Sequence, residues 1–335
     1  MHPKLLDYRE HDKNFWYEEL EDWIPKKIYD CHIHMLNNAL INDESEHKNI
    51  FPDADLKVIN EWHNILFPGR EINNLFLGRP ALGTDVKAYN DFLSKEINSN
   101  KLTRSHRLTT PSDSLKDIEN DIKNKGFQGL KVYRMYSVTG DIANCVIEDY
   151  LPHEQLELAN DLGLWITLHM SREDGCGDEE NLKDLENFTT QKYPNIKWIL
   201  AHVARSFTYR PIQRGIDTLK NLPNIWYDLS AVTDIRPFIT LFKNENHKRF
   251  FYGTDGIESV SFHGSYTTFA HAHNQIETDN IESLKFLHTT NRPVICLYEN
   301  LIAIKQAAIF CELNREQIED IFWKNAVREF NVPWD

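Results

Sequence analysis

The feature that most constrains the fold is a repeated alternation of short apolar runs with longer amphipathic stretches. Eight runs rich in β-branched and aromatic residues predict strands over residues 28–34, 75–78, 106–109, 129–133, 165–169, 196–202, 225–229 and 250–254. The stretches between them have helical periodicity and helix-ending glycines, as in 112–125 and 153–162. Eight strand–helix units are the number that closes a parallel barrel. We therefore predict an α/β protein with the (β/α)8 barrel fold.

An open doubly wound sheet is the alternative for the same alternation. Such sheets hold phosphates on a glycine-rich turn, and no turn of that kind follows any predicted strand. The barrel is therefore favoured, as one domain over residues 1–335. Two segments are too long for simple connections and predict insertions near the barrel mouth, a polar one at about 35–74 and a histidine-containing one at about 256–292.

Composition excludes several classes of function. The 335-residue chain has a formal net charge of -14 and no run of basic residues, which argues against nucleic acid as a partner. No apolar stretch reaches the roughly 18 residues that a membrane span needs, and residues 1–16 lack the apolar core of a secretory signal. The five cysteines are scattered and form no CxxC pair. We expect reduced thiols and a cytoplasmic protein.

Polar residues of one chemical type stand at the ends of several predicted strands. His32 and His34 lie two apart on the first strand, so their side chains leave the same face. His169, His202 and Asp255 end the fifth, sixth and eighth strands. Each alone is more simply explained as a hydrogen-bonded buried histidine or a helix cap. Because the carboxyl ends of all barrel strands share one mouth, their joint placement favours a divalent metal site.

These motifs resemble the amidohydrolase superfamily. The matching segments are 29–34, 126–131, 168–169, 200–202, 252–255 and 314–326, almost from end to end of the chain. The branch that they resemble includes aminocarboxymuconate-semialdehyde decarboxylase, benzoate-type decarboxylases and pyrone-dicarboxylate lactonase. The resemblance implies one divalent metal ion, zinc or alternatively manganese, held by His32, His34, His169 and Asp255, with His202 working beside it. It also suggests a homodimer.

Lys131, on the fourth strand, has two interpretations. In some amidohydrolases a lysine on this strand is carboxylated and bridges two metals, whereas the branch that this chain resembles usually has a single metal. We favour a structural or substrate-binding lysine, with metal stoichiometry as the deciding measurement. Asp30 shares the face of the strand-one histidines but lies deeper, so it could accept a hydrogen bond from a ligating imidazole or simply belong to the lower polar layer of the barrel, and we favour the first.

Arginines follow four of the strands, which is unusual in an acidic protein. They are Arg79, Arg134, Arg172 and Arg205. Each could simply pair with one of the abundant acidic residues. As a set they predict a small anionic substrate, most plausibly a carboxylate, clamped by Arg172 or Arg205 with Arg134 and Lys131 nearby.

The predicted activity is hydrolysis of a small amide, ester or lactone by metal-activated water. Asp255 would take the proton, and His202 would stabilise the oxyanion or protonate the leaving group. Metal-dependent, non-oxidative decarboxylation is the alternative, because the same groups can hold a carboxylate and deliver a proton to carbon. A non-catalytic binding barrel is a third possibility, since a fold alone does not prove a function.

Overall fold

The computed structural model describes residues 7–98, 100–277 and 292–334. Eight strands form one parallel sheet in chain order. They are β1 Lys27–His34, β2 Glu71–Leu77, β3 Arg104–Leu108, β4 Gly129–Tyr133, β5 Trp165–His169, β6 Lys197–Leu200, β7 Ile225–Asp228 and β8 Phe250–Phe251. All eight predicted strands are present, and the predicted barrel is confirmed.

The barrel closes between β1 and the chain that follows β8. Cys31 N donates to the carbonyl oxygen of Tyr252 (2.8 Å), and Asp255 N donates to that of His32 (2.7 Å). Gly253 permits this close approach, because a Cβ there would lie 2.7 Å from the His32 Cβ. The closure therefore sets His32 beside Asp255, although 223 positions separate them in the chain.

Each strand is followed by a helix on the outside of the barrel. These helices are Leu56–Leu66, Val86–Ile97, Leu115–Asn124, His153–Leu162, Glu179–Asn187, Tyr209–Leu219, Ile235–Asn244 and Cys296–Phe310. The helix Glu10–Phe15 precedes the barrel, and Arg315–Glu319 and Asn325–Glu329 follow it. Wider π-type turns extend three of the helices, at Trp16–Leu20, Phe188–Lys192 and Asp320–Lys324. Phe330 packs against Trp165 and Phe251, with ring centroids 5.0 Å apart in both pairs, so the C-terminal segment plugs the amino end of the barrel.

The two predicted insertions are more structured than expected. The first contains the barrel's first outer helix, Leu56–Leu66, which buries Ile59, Trp62 and Leu66, so only residues 35–55 form an excursion. The polar residues at 42–46 made the whole segment resemble a loop, so the helical periodicity of 56–66 was not predicted. The second contains an antiparallel hairpin of Gly264–Phe269 and Ala272–Glu277, while its residues 278–291 lie outside the described residues. No described helix is long and apolar enough to cross a membrane.

Candidate active site

Three of the predicted metal ligands meet at the carboxyl-end mouth of the barrel. His32 and His34 leave β1 on the same face, and Asp255 follows β8. Their ligand atoms all lie within 4.8 Å of one another. The Nε2 atoms of His32 and His34 lie 3.4 and 3.7 Å from Oδ1 of Asp255. Both histidines are buried, so their imidazoles are largely shielded from bulk solvent.

The hydrogen bonds of the site histidines fix which ring nitrogen is bare. Nδ1 of His34, His169 and His202 each faces a backbone carbonyl, which can only accept. The acceptors are the carbonyl oxygens of Leu77 (3.0 Å), Met170 (3.2 Å) and Ser230 (3.3 Å). For His34 and His169 the hydrogen therefore sits on Nδ1, and Nε2 keeps its lone pair. Nδ1 of His202 also lies 3.0 Å from the Ser230 hydroxyl, which can donate or accept. Burial lowers the pKa of all three imidazoles, so the neutral form that a metal requires is the stable one.

His32 is oriented by Asp228, a residue that the sequence reasoning missed. Its Nδ1 donates to Oδ2 of Asp228 at 2.5 Å, and Ser230 N donates to Oδ1 at 2.7 Å. The carboxylate is fully buried at the end of β7. The expectation that Asp30 fills this role is wrong, because Asp30 accepts from the Thr254 amide (2.9 Å) and hydroxyl (2.6 Å) instead. A carboxylate behind a ligating imidazole raises the basicity of its free nitrogen.

His169 and His202 extend the cluster on its far side. The His202 ring lies 4.9 Å from that of His32 and 5.3 Å from that of His169, and the Tyr133 ring lies 4.3 Å from His169. Among the described residues, His202 joins His32 and Asp228 in a second group of close ligand atoms, whereas His169 belongs to neither group. The ligand role of His169 therefore stays a prediction.

The chain after β6 turns in an unusual conformation. Four consecutive residues other than glycine, His202 to Arg205, have φ between 53° and 60°, which is left-handed. Each such residue costs about 1–2 kcal/mol. Strain of this kind collects at functional sites, where the surrounding structure holds it in place. Here Ser206 N donates to the His202 carbonyl oxygen at 2.9 Å, and the Arg205 guanidinium donates to the Arg172 carbonyl oxygen.

Lys131 reaches into the centre of the cluster. Its Nζ lies 3.3 Å from His32 Nε2, and the side chain is buried. Burial lowers the pKa of Lys131 and raises that of Asp255, while each of these two charges opposes the shift of the other. Lys131 therefore lies among the predicted ligands rather than on a loop above them.

The three arginines predicted to bind substrate have different surroundings. Arg172 pairs with Asp178 (3.0 Å) and Glu180 (2.7 Å), so its charge is already matched. Arg205 is partly buried and, among the described residues, pairs with no carboxylate. Burial and the nearby charge of Arg134 lower the pKa of Arg205 to about 10. Arg134 donates to the Ile142 carbonyl oxygen at 2.8 Å.

A fourth arginine, Arg79, lies on the opposite side of the mouth. It is 5% exposed, and its Nη2 lies 3.3 Å from Oε1 of Glu258. Its charge helps to lower the pKa of His34 and opposes the rise in the pKa of Asp255. The sequence marks Arg79 by its place after the second strand, but nothing in it identifies Glu258 as the partner.

The donor set fits a divalent cation. Neutral imidazoles with bare Nε2 atoms and a carboxylate are the ligands that zinc and similar ions take in barrel enzymes. A parallel barrel with this cluster at its carboxyl-end mouth defines the class as a metal-dependent barrel enzyme. The amidohydrolase family model matches residues 104–332, more than half of the chain, and the chain belongs to this family. The matched segment includes Asp228 and Asp255, whereas His32 and His34 precede it.

Comparison with solved structures shows the same fold. A probable 2-pyrone-4,6-dicarboxylic acid hydrolase from Acinetobacter baumannii, with citric acid bound, is 14% identical with a TM-score of 0.58, over 91% of this chain and 99% of that chain. A dihydroxybenzoic acid decarboxylase from a Polaromonas species, with bound manganese and 2-nitroresorcinol, is 13% identical with a TM-score of 0.56, over 93% and 98%. A 5-carboxyvanillate decarboxylase from Sphingomonas paucimobilis is 12% identical with a TM-score of 0.54, over 92% and 100%.

At these identities the likeness establishes the fold alone. Among curated proteins, none is similar enough in sequence to count as a match. The family match confirms the predicted amidohydrolase-type enzyme class.

Proposed function

We propose that the protein is a metal-dependent hydrolase of a small, carboxylate-bearing amide, ester or lactone. The observation that carries the proposal is the convergence of His32, His34 and Asp255, with both Nε2 atoms bare and His32 backed by a buried carboxylate. His169 completes the ligand set that we propose. Zinc suits the imidazole and carboxylate donors, and manganese is the alternative.

When bound, a divalent ion supplies a Lewis acid and lowers the pKa of a water molecule. Asp255 is placed to take a proton from that water, because burial makes its carboxylate a better base than an exposed one. Nδ1 of His202 faces the carbonyl oxygen (3.3 Å) and hydroxyl (3.0 Å) of Ser230, so Nε2 is the nitrogen left for the substrate. The role that we propose for it is proton transfer to the leaving group.

The oxyanion donor that we propose is Tyr133. Its ring lies 4.3 Å from that of His169. Burial raises the pKa of Tyr133 to about 12, so the phenol stays protonated at neutral pH. A protonated phenol at this position can stabilise developing negative charge.

Arg205 and Arg134 form the proposed anion site beside His169. Among the described residues neither pairs with a carboxylate, and the charge of Arg134 helps to lower the pKa of Arg205. A substrate carboxylate would relieve that repulsion and accept bidentate hydrogen bonds. Arg172 acts as a support, because its carbonyl oxygen accepts from Arg205 and its own guanidinium is ion-paired.

Decarboxylation of a small carboxylic acid is the second candidate. The same arginines would hold the carboxylate, and His202 or Asp255 would carry the proton to carbon. Its support is that two solved decarboxylases share the fold over more than nine-tenths of this chain.

Compartment and assembly belong to the same proposal. All five cysteines are free, which fits a reducing, cytoplasmic environment. We also propose a homodimer, to be tested by measuring the mass of the protein in solution.

The first test is elemental analysis of protein purified without chelator, with His32→Ala as the control. We expect about one zinc or manganese per chain, lost in the variant. Panels of lactones, esters and amides, and carbon dioxide release from aromatic acids, then separate the two reactions. Two metals per chain would support a bridging Lys131. Absence of site-dependent metal would overturn the proposal.

A further inference from the structure

Arg79, which is buried, and Glu258, which is partly buried, form an ion pair next to the proposed metal ligands. Arg79 stands two positions after β2, and Glu258 stands three positions after Asp255. The Arg79 charge acts on both His34 and Asp255, so the pair borders the side of the cluster opposite Arg205. The mechanism proposed above uses neither residue.

The pair is held rigidly but is incompletely hydrogen-bonded. The Tyr89 hydroxyl accepts from the Arg79 amide at 3.0 Å, and the Phe51 ring lies 5.3 Å from the guanidinium carbon and covers it. Yet Nε and Nη1 of Arg79, and Oε2 of Glu258, are buried without a hydrogen-bond partner among the described residues. Buried polar atoms in folded proteins almost always have a hydrogen-bond partner. The two donor nitrogens of Arg79 and the acceptor oxygen of Glu258 are therefore free to bind polar groups of a ligand.

We propose that this pair is a substrate subsite for a carboxylate that bears a hydroxyl or amino group on the adjacent carbon. The free donors of Arg79 fit the carboxylate oxygens, and the free oxygen of Glu258 fits the neighbouring O–H or N–H. When Glu258 is ionised, a carboxylate without such a group meets its negative charge with no hydrogen bond in return, so the subsite discriminates against it. The proposal rests on the proposed function, because it names the chemistry of the substrate bound in the same mouth.

Calorimetric titration of the metal-loaded protein with malate, aspartate and succinate, at a pH above 8 where Glu258 is ionised, tests the subsite. Succinate matches malate in charge and lacks only its hydroxyl, whereas aspartate replaces the hydroxyl with a positively charged ammonium donor. We expect malate or aspartate to bind at least about tenfold more tightly than succinate, as one hydrogen bond to a charged group allows.

The two halves of the pair give opposite results for succinate. Glu258→Met removes the acceptor and the repulsion, so the preference disappears and succinate binds more tightly than to the unchanged protein. Arg79→Met removes the donors, so all three acids bind about tenfold or more weakly. The controls are Arg315→Met and Glu319→Met. They break a partly exposed arginine–glutamate pair on the helix Arg315–Glu319, with 3.7 Å between Nε and Oε1, and should leave the affinity for all three acids unchanged.

Two measurements keep the outcome readable. Thermal unfolding shows whether each variant is folded. If Glu258→Met is not, Glu258→Gln removes the charge, keeps an accepting oxygen and should still raise succinate affinity. Equal affinities for the three acids in the unchanged protein, or a preference that survives Glu258→Met, overturn the subsite. Because the readout is binding, a protein that binds malate through this pair but hydrolyses nothing would refute the proposed function alone.

Discussion

Asp228→Asn tests the carboxylate behind His32. The carboxylate accepts two strong hydrogen bonds, from His32 Nδ1 at 2.5 Å and from Ser230 N at 2.7 Å, one on each oxygen. Asparagine has only one accepting oxygen and an NH2 group in place of the other. If the NH2 faces Ser230, two donors oppose each other. If it faces His32, the imidazole must move its hydrogen to Nε2 and loses the lone pair that would bind a metal.

Either orientation weakens the site by a definable amount. Loss of a partner behind a ligating histidine typically reduces metal affinity by about 10- to 100-fold, or roughly 1.4–2.7 kcal/mol. An unpaired buried amide costs about 1–3 kcal/mol of folding stability. We therefore expect weaker metal binding, lower stability, or both, from a change of one atom.

The assay is competition for zinc with a coloured chelator, together with urea unfolding of the same samples. Asp217→Asn is the matched control, because Asp217 is 82% exposed and its one ion pair within the described part of the chain is with Lys220. Its metal affinity and stability should stay within experimental error. An Asp228→Asn protein with unchanged zinc affinity would refute the role that the structure gives to this carboxylate.

Three further predictions follow from the same contacts. His202→Asn should keep its metal by elemental analysis but lose about 10²–10⁴-fold in turnover, because a proton-transfer group is gone. Burial raises the pKa of Glu258 to about 7 in the folded state. Protonation of Glu258 therefore stabilises the folded protein fully below about pH 4.5, and this stabilisation is lost as the pH rises from there through 7. Glu258→Gln should therefore gain about 1–2 kcal/mol over the unchanged protein between pH 4.5 and 8 in urea unfolding, after allowance for its 32% exposure. Asp121→Ala should cost about 1.5–3 kcal/mol by urea unfolding, because buried Arg107 loses a 2.8 Å ion pair but keeps the one with Asp113. Glu119→Ala, at an exposed position of the same helix, should cost under about 1 kcal/mol.

The sequence predicted the barrel and the meeting of His32, His34 and Asp255 for one physical reason. Parallel strands with helical crossovers have their carboxyl ends on one side of the barrel. A polar residue at the end of any strand can therefore be placed at that mouth from the sequence alone. The same reasoning applied to the seventh strand would have found Asp228, which ends an apolar run as His169 does. It was overlooked because a single aspartate near a strand end is equally typical of a turn.

Other parts of the site leave no trace in the sequence pattern. The left-handed turn at His202 to Arg205 contains no glycine to mark it. The contact of Arg79 with Glu258 depends on two loops that pack together only in the folded chain. The bare Nε2 atoms depend on which carbonyl each Nδ1 faces, and backbone carbonyls are present at every residue. Pairwise geometry of this kind requires the tertiary structure.

The proposed metal ligands also lie on both sides of the seam that closes the barrel. β8 has only two residues, and the seam between β1 and β8 depends on the amides of Cys31 and Asp255. An ion held by His32 and His34 on one side and Asp255 on the other would bridge that seam. Such an ion binds only the folded chain. At a free metal concentration about 1,000 times the Kd, it would therefore stabilise the folded protein by about 4 kcal/mol.

Metal removal should therefore act locally before it acts globally. We expect chelator-treated protein to unfold at lower temperature and to lose hydrogen-exchange protection first at the Cys31 and Asp255 amides. The Leu168 amide on β5, opposite the seam, should stay protected at the same time. Equal loss of protection on β5 and at the seam would mean that the metal stabilises the barrel as a whole. Unchanged protection at the seam would show that His32, His34 and Asp255 do not bridge it.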